Sequence, residues 1–233
     1  MEVSEKAIYT MQEEGVDLIE LGVPFSDPAA DGPVIQRADE RALAQGVDIF
    51  KVFELVRKIR NNVEVPMVFL LYYNVMVQYG IEKFFKRCQE TGVDGLIIPD
   101  LPYEESDEIK EYTEKYGVYQ ISLVSPTSKD RIKNIAKDAK GFLYCISSLG
   151  VTGEKSSFVT NFDEFVGTIK KYTDVPACVG FGVSNGKQVK ELTKYFDGAI
   201  VGSAIVKSIA TGESVEERIN NLRAKIKDLK SGL

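Results

Sequence analysis

Residues 17–33 read DLIELGVPFSDPAADGP. The first seven form a short apolar run interrupted by Glu20, and the next ten form a loop rich in Pro, Asp and Ala. Pro33 suits the first turn of a helix, because a proline lacks the N–H that would stay unpaired there. The stretch therefore predicts a buried strand, a loop and a helix in succession.

The same alternation of a short apolar run and a longer amphipathic stretch recurs along the chain with short connections. Continuous strand–helix alternation of this kind is typical of a parallel sheet. Apolar residues between the runs keep helical spacing, as in Ile81, Phe84, Phe85 and Cys88. Seven runs are predicted to be strands, namely 17–21, 67–71, 95–99, 118–123, 142–146, 177–180 and 199–201.

A weak internal repeat supports this interpretation. Gly15, Gly92 and Gly117 each stand where a helical stretch gives way at once to an apolar run. Glycine tolerates the left-handed turn that follows many helices. Because no Pro-, Gly- or Ser-rich linker interrupts the alternation, residues 1–233 are predicted to form a single α/β domain, a (β/α)8 barrel.

A doubly wound open sheet uses the same alternation and stays open as an alternative. A chain of 233 residues is close to the usual length of a barrel domain, which favours the barrel. Seven strands are one fewer than a barrel needs, and the chain opens with a helical stretch, 3–14. We therefore expect either that the first strand is missing from this chain or that the sheet is open.

Composition excludes several classes of function. The chain has no histidine, which removes Ser-His-Asp and Cys-His nucleophile systems and nearly every catalytic zinc site. Acid–base chemistry must then fall to Asp, Glu, Lys, Tyr or Cys, and no metal is expected. The net charge of −6 disfavours nucleic acid as a partner.

The sequence also indicates a compartment. It has no apolar stretch long enough for a membrane helix, and residues 1–15 lack the apolar core of a signal peptide. The three cysteines are widely spaced, and we interpret them as reduced and structural. A cytoplasmic protein without membrane contact is expected.

Two carboxyl groups near the first strand are candidates for chemistry. Glu20 lies in an apolar strand, where burial would raise its pKa toward neutrality and suit it to general acid–base work. The alternative is a strand-end glutamate paired with a nearby Lys or Arg. Asp31 lies in the acidic loop that follows this strand directly, which places two carboxyl groups where they could reach one ligand. The alternative is an ordinary turn, because Asp-Pro and Asp-Gly are common turn dipeptides.

Glycine turns after the last two strands are candidates for an anion site. Gly180 and Gly182 follow the sixth run, and Gly202 and Ser203 follow the seventh and open a helix. Close backbone approach and unpaired N–H groups at a helix start bind phosphate in many barrels, although tight turns alone would look the same. The loop 147–157, rich in Ser and Gly, suits a lid or a solvated connection.

These residues carry a resemblance to a known family. The segments 18–33, 72–74, 99–102, 148–153, 180–183 and 201–206 match its motifs in order. The chain resembles the alpha subunits of tryptophan synthase. The resemblance implies a (β/α)8 barrel and a lyase of tryptophan biosynthesis that cleaves indole-3-glycerol phosphate to indole and glyceraldehyde 3-phosphate by a retro-aldol reaction.

Roles for individual residues also follow from the resemblance. It implies that Glu20 is the acid–base residue and that Asp31 lies near the indole nitrogen. The substrate-binding residues it implies are Tyr72, Tyr144, Thr152 and Phe181, and the phosphate-binding residues are Gly153, Gly182, Gly202 and Ser203. No cofactor is expected in this chain, and pyridoxal phosphate is expected only in a partner beta subunit, with an alpha2-beta2 assembly.

Two departures from the family pattern bear on activity. The family usually begins with about thirty more residues, including a first strand, and Ala29 stands where the family usually has a larger apolar residue. An alternative function is therefore a catalytically impaired, phosphate-ligand-binding subunit that mainly activates a partner enzyme. A neighbouring barrel lyase, synthase or isomerase of the same pathway is a third possibility, but it would not require the segment from Glu20 to Asp31.

Overall fold

The computed structural model describes residues 1–128, 130–146, 161–180 and 182–233. Strands are short and parallel throughout this part of the chain. Their bounds are β1 (Ile19–Gly22), β2 (Met67–Leu70), β3 (Gly95–Ile97), β4 (Tyr119–Gln120), β5 (Ser122–Val124), β6 (Leu143–Ile146), β7 (Ala177–Gly180) and β8 (Gly198–Ile200).

Helices separate most of these strands along the chain. They are α1 (Glu2–Glu13), α2 (Pro33–Ala44), α3 (Ile49–Ile59), α4 (Tyr73–Tyr79), α5 (Ile81–Thr91), α6 (Asp107–Tyr116), α7 (Ile132–Asp138), α8 (Phe162–Ile169), α9 (Gly186–Leu192), α10 (Ser203–Ala210) and α11 (Val215–Lys230). None of the helices in the described ranges has the length and apolar character needed to cross a membrane.

All seven predicted strand runs contain strands. One run is divided, because β4 ends at Gln120 and β5 begins at Ser122, with Ile121 between them. β4 completes a sheet of order β1-β2-β3-β4, and β5 begins a sheet of order β5-β6-β7-β8. The described residues accordingly form two compact units, Met1–Gln120 with Val206–Ile226, and Ile121–Ile205 with Lys227–Leu233. The prediction of a single domain stays a prediction.

The core of the first unit is aromatic. Phe53 of α3 lies at the centre, with ring centroids 5.3 Å from Phe69 of β2 and 5.4 Å from Phe84 of α5. All three rings are fully buried, so they combine a large apolar area with edge contacts that favour one arrangement. In the second unit, Phe162 and Phe165 of α8 pack on Phe196 in the same way.

Each unit uses an aspartate to fix the start of its strands. In the first unit, Asp94 pairs with Arg60 at 3.0 Å and accepts the N–H of Met67, the first residue of β2, at 2.8 Å. In the second unit, Asp197 pairs with Lys170 at 2.6 Å and accepts the N–H of Ala177, the first residue of β7, at 2.7 Å.

Both aspartates begin the pattern Asp-Gly-X-Ile, at residues 94–97 and 197–200. The glycine and the two residues after it form β3 in the first unit and β8 in the second. In each unit the aspartate of this motif therefore joins the amino ends of two neighbouring strands and pairs with the basic residue that follows a helix, Arg60 or Lys170.

The predicted glycine turns are confirmed. Gly15, Gly92 and Gly117 all have positive φ, and Gly92 and Gly117 end α5 and α6 in the left-handed conformation. The two caps differ in their surroundings. A β-carbon at Gly92 would lie 2.8 Å from Cγ of Arg60, whereas one at Gly117 would meet no atom within 4 Å.

Replacing Gly92 with alanine is expected to destabilise the protein more than the same change at Gly117. Both variants carry the cost of a left-handed alanine, about 1 kcal/mol, but only Gly92→Ala also displaces Arg60 from Asp94. We expect an additional loss of about 1 kcal/mol in the free energy of unfolding, measured with denaturant. Equal losses for the two variants would show that the Arg60 contact contributes nothing.

Candidate active site

The acidic loop after β1 folds back on itself. Within it, Asp27 O accepts the N–H of Ala29 at 2.8 Å, and Pro28 O accepts the N–H of Asp31 at 3.0 Å. α2 then begins at Pro33, as predicted, with Gly32 as its N-cap. Asp31 therefore lies directly before a helix N-terminus, where the helix dipole favours a negative charge.

Tyr72 holds this loop in place from the end of the neighbouring strand. Its hydroxyl donates to Oδ2 of Asp31 at 2.8 Å and accepts the N–H of Ala30 at 2.9 Å. Its ring is buried and stacks on Phe25, with centroids 5.1 Å apart and an interplanar angle of 26°. The sequence interpretation assigned Tyr72 to the substrate pocket and missed this hydrogen bond to the second candidate carboxylate.

Glu20 is half-buried and has neither a hydrogen bond nor an ion pair within the described part of the chain. Burial raises its pKa, and the negative charge of Asp31 raises it further, to about 7. The salt-bridged alternative considered for Glu20 is therefore not what the described residues show. A carboxyl group with a pKa near neutrality can both release and accept a proton at physiological pH.

Asp31 responds differently to the same surroundings. Burial raises its pKa, but the hydrogen bond from the Tyr72 hydroxyl acts in the opposite direction, because it stabilises the charged form. Of the two neighbouring carboxyl groups, only Asp31 has a donor within the described residues. The arrangement thus favours the negative charge on Asp31 and the proton on Glu20.

A third carboxyl group belongs to this cluster and was missed. Asp39 lies on the half-buried stripe of α2, which is otherwise apolar and consists of Val34, Ile35, Ala38 and Ala42. Burial and then the charge of Asp31 raise its pKa to about 6. The sequence signal that could have revealed it is helical spacing, since Ile35 and Asp39 are four residues apart on one face.

In the second unit, Tyr144 of β6 lies over Gly180 at the end of β7. A β-carbon at position 180 would overlap the phenol ring of Tyr144, so the ring occupies the space that glycine leaves open. Tyr144 itself is half-buried. The identity of residue 180 therefore determines where a predicted substrate-binding side chain can lie.

The glycine turns predicted to bind phosphate are open in the structure. Gly182 has φ of +73° and is exposed, as are Gly202 and Ser203. A β-carbon at Gly182 or Gly202 would meet no atom within 4 Å. α10 begins at Ser203, so its N-terminus follows directly after β8 and Gly202.

Several predictions concern residues outside the described ranges. Thr152, Gly153 and Phe181 are among them, and so is the loop 147–157 that was considered as a lid.

None of the three cysteines forms a disulfide. Within the described ranges, no group of three or more acidic or cysteine side chains could hold a metal ion.

The raised pKa of Glu20 predicts a pH-dependent effect on stability. Glutamate titrates near 4.5 in the unfolded chain and near 7 in the fold, so the folded state binds the proton more tightly and the Glu20 contribution to stability falls as pH rises through this window. The uncharged variant Glu20→Gln should therefore gain stability relative to the parent protein by about 2 kcal/mol between pH 5 and pH 8.

Denaturant unfolding at the two pH values measures this gain. Glu40→Gln is the matched control, because Glu40 lies on the exposed face of α2 and the change removes the same charge. We expect the control to show no such gain. A Glu20→Gln effect of the same size at both pH values would contradict the raised pKa.

The contact between Gly180 and Tyr144 predicts a second effect. Gly180→Ala forces the Tyr144 ring to move and is expected to cost about 1–3 kcal/mol of unfolding free energy, the usual cost of overpacking. Gly202→Ala, which has open space, serves as the control and should change stability by less than about 0.5 kcal/mol. Similar values for both variants would mean that Tyr144 moves aside freely.

The whole chain matches a protein-family model. Residues 1–233 match the model described as "Tryptophan synthase alpha chain". The tryptophan synthase alpha chain of Alkaliphilus metalliredigens is 46% identical over 234 residues, which cover 99% of this chain and 88% of that protein. That of Methanocaldococcus jannaschii is 47% identical, covering 90% of this chain and 75% of its own length.

Solved structures show the same likeness. Tryptophan synthase subunit alpha from Campylobacter jejuni is 40% identical with a TM-score of 0.87, covering 98% of this chain and 90% of that one. A chain of Mycobacterium tuberculosis tryptophan synthase in its aminoacrylate-bound form is 33% identical with a TM-score of 0.86, covering 99% and 87%. These likenesses confirm the predicted fold class, the (β/α)8 barrel. The chain belongs to the tryptophan synthase alpha chain family, whose members are lyases that cleave indole-3-glycerol phosphate in the biosynthesis of tryptophan.

Proposed function

We propose that Glu20 and Asp31 carry out the cleavage of indole-3-glycerol phosphate to indole and glyceraldehyde 3-phosphate in this chain. One observation carries the assignment. Glu20 is a half-buried carboxyl group without a cation among the described residues, and burial and the charge of Asp31 raise its pKa to about 7. Without histidine in the chain, this is the kind of group that can donate and accept protons at neutral pH.

The reaction needs two proton transfers that balance. A proton is delivered to C3 of the indole ring, and a proton is removed from the hydroxyl on the side-chain carbon bonded to C3. As the carbonyl of the aldehyde forms, the carbon–carbon bond breaks and its electrons return to the indole ring. Glu20 supplies the first proton and accepts the second, so it ends in the form in which it began.

Asp31 has a different role in this proposal. Protonation at C3 places positive charge on the indole ring and its N1–H, and an ionised carboxylate that accepts that N–H stabilises the charge. The hydroxyl of Tyr72, 2.8 Å from Oδ2 of Asp31, and the N-terminus of α2 both favour the ionised form. Asp31 therefore acts as an electrostatic partner while Glu20 moves the protons.

The remaining roles rest on the resemblance and on the openness of the glycine turns. We propose that Gly153, Gly182, Gly202 and Ser203 bind the phosphate. The proposed contacts to the rest of the substrate come from Tyr72, Tyr144, Thr152 and Phe181. Backbone N–H groups at an open helix start bind an anion without Lys or Arg, which fits the absence of a basic side chain from this set.

The proposal includes a partner and a compartment. The cleavage needs only acid–base groups, so we propose that the chain works without a cofactor and passes indole to a beta subunit that holds pyridoxal phosphate, in an alpha2-beta2 assembly. None of the three thiols is joined in a disulfide, and this supports a reducing compartment, for which we propose the cytoplasm.

Steady-state cleavage of indole-3-glycerol phosphate, measured with beta subunit present, tests the central role. Glu20→Gln keeps the shape of the side chain but cannot transfer a proton, and we expect at least a ~10²-fold loss of rate. Glu40→Gln, on the exposed face of α2, should keep the parent rate. A Glu20→Gln enzyme that retained most of its activity would remove Glu20 from the acid–base role.

A further inference from the structure

The loop that carries Asp31 is attached to Tyr72 at two points. At one end, the ring of Phe25 stacks on the ring of Tyr72 with centroids 5.1 Å apart. At the other end, the Tyr72 hydroxyl accepts a hydrogen bond from the N–H of Ala30 and donates one to the carboxylate of Asp31. Building on the proposed function, we propose that Phe25 is a positioning residue, which orients Asp31 by fixing the ring of Tyr72.

The two hydrogen bonds of the Tyr72 hydroxyl require one orientation of the Tyr72 ring. The same oxygen donates to Oδ2 of Asp31 at 2.8 Å and accepts the N–H of Ala30 at 2.9 Å, so both partners constrain its position. A tyrosine hydroxyl lies at the far end of a rigid ring, and a small tilt of the ring displaces it from both partners. A stacked neighbour such as Phe25 opposes that tilt, because tilting the Tyr72 ring would break the contact between the two ring faces.

The surroundings of Phe25 argue that this contact is not ordinary core packing. Its neighbours Ser26, Asp27, Ala29 and Ala30 are all exposed, and Phe25 itself is only half-buried. Phe25 does not belong to the buried cluster around Phe53. The ring of Tyr72 is its only aromatic partner among the described residues. Phe25 thus connects the two ends of a six-residue segment, 25–30, through one tyrosine.

Orientation of a catalytic group affects the rate more than the binding of substrate. Misplacement by about 1 Å in a site can cost ~10²-fold in rate. Without the Phe25 ring, the Tyr72 hydroxyl should still be able to form both hydrogen bonds, but it should form them for a smaller fraction of the time. We therefore expect a lower kcat for a Phe25 variant, with a smaller effect on KM.

The first test uses Phe25→Leu, Tyr72→Phe and the double variant in the complex with beta subunit. Phe25→Leu keeps apolar volume without a ring and should lower kcat about tenfold, with KM changed by less than about threefold. Because Phe25 acts through the Tyr72 hydroxyl, adding Phe25→Leu to Tyr72→Phe should lower kcat by less than about twofold more. Phe25→Tyr keeps the stacking ring and should restore the parent kcat.

The chain offers a matched control. Phe50 of α3 is exposed and packs on Tyr79 in a tilted arrangement, with ring centroids 5.0 Å apart and an interplanar angle of 34°. Phe50→Leu removes an aromatic pair at a similar ring distance and should leave kcat within about twofold of the parent value. If Phe25→Leu and Tyr72→Phe lower kcat independently, so that their effects multiply, or if Phe50→Leu matches Phe25→Leu, the positioning role is wrong.

A second measurement separates this inference from the proposed function. The Tyr72 hydroxyl lowers the pKa of Asp31 against the effect of burial, so its loss must raise that pKa. Carboxyl carbon NMR of the free chain should show a higher Asp31 titration midpoint in both Phe25→Leu and Tyr72→Phe than in the parent protein, and an unchanged midpoint in Phe50→Leu. An unchanged midpoint in Phe25→Leu overturns the inference. If the two variants shift the Asp31 midpoint as expected but the parent protein cleaves no substrate, only the proposed function is overturned.

Discussion

The proposed chemistry of the first unit depends on two neighbouring carboxyl groups, Glu20 and Asp31, having different surroundings. Glu20 and Asp31 share a partly buried environment and are close enough for the charge of Asp31 to raise the pKa of Glu20. Two carboxylates in such a place do not ionise independently. The hydroxyl of Tyr72 breaks the symmetry, because it donates to Asp31 and leaves Glu20 without a donor in the described residues. Different environments separate the pKa values of two neighbouring carboxyl groups, so that one can transfer protons while the other stays ionised.

This arrangement opposes stability. A carboxyl group whose pKa is raised by burial is less stable when ionised, so Glu20 and Asp39 both weaken the fold near neutral pH. The buried aromatic core around Phe53 and the aspartate pairs at Asp94 and Asp197 act in the opposite direction. Functional groups in many proteins lower the stability of the fold, and packing elsewhere offsets that loss.

Sequence reasoning predicts the features that depend on local order. The seven strand runs, the turns at Gly92 and Gly117 and the helix start at Pro33 follow from periodicity and from the backbone limits of glycine and proline. It does not find contacts between residues far apart in the chain. Tyr72 and Asp31 are 41 residues apart, and nothing in either segment indicates that a hydroxyl meets a carboxylate.

The division between stabilising and chemical features follows the direction of the strands. Asp94 acts at the amino ends of β2 and β3, where it accepts the N–H of Met67 and pairs with Arg60. The acidic loop and Tyr72 follow the carboxyl ends of β1 and β2. In parallel barrels the carboxyl ends of the strands carry the chemistry, and conservation at the other end reflects stability. A change in the loop is therefore not expected to disturb the pairs that hold the amino ends of the strands.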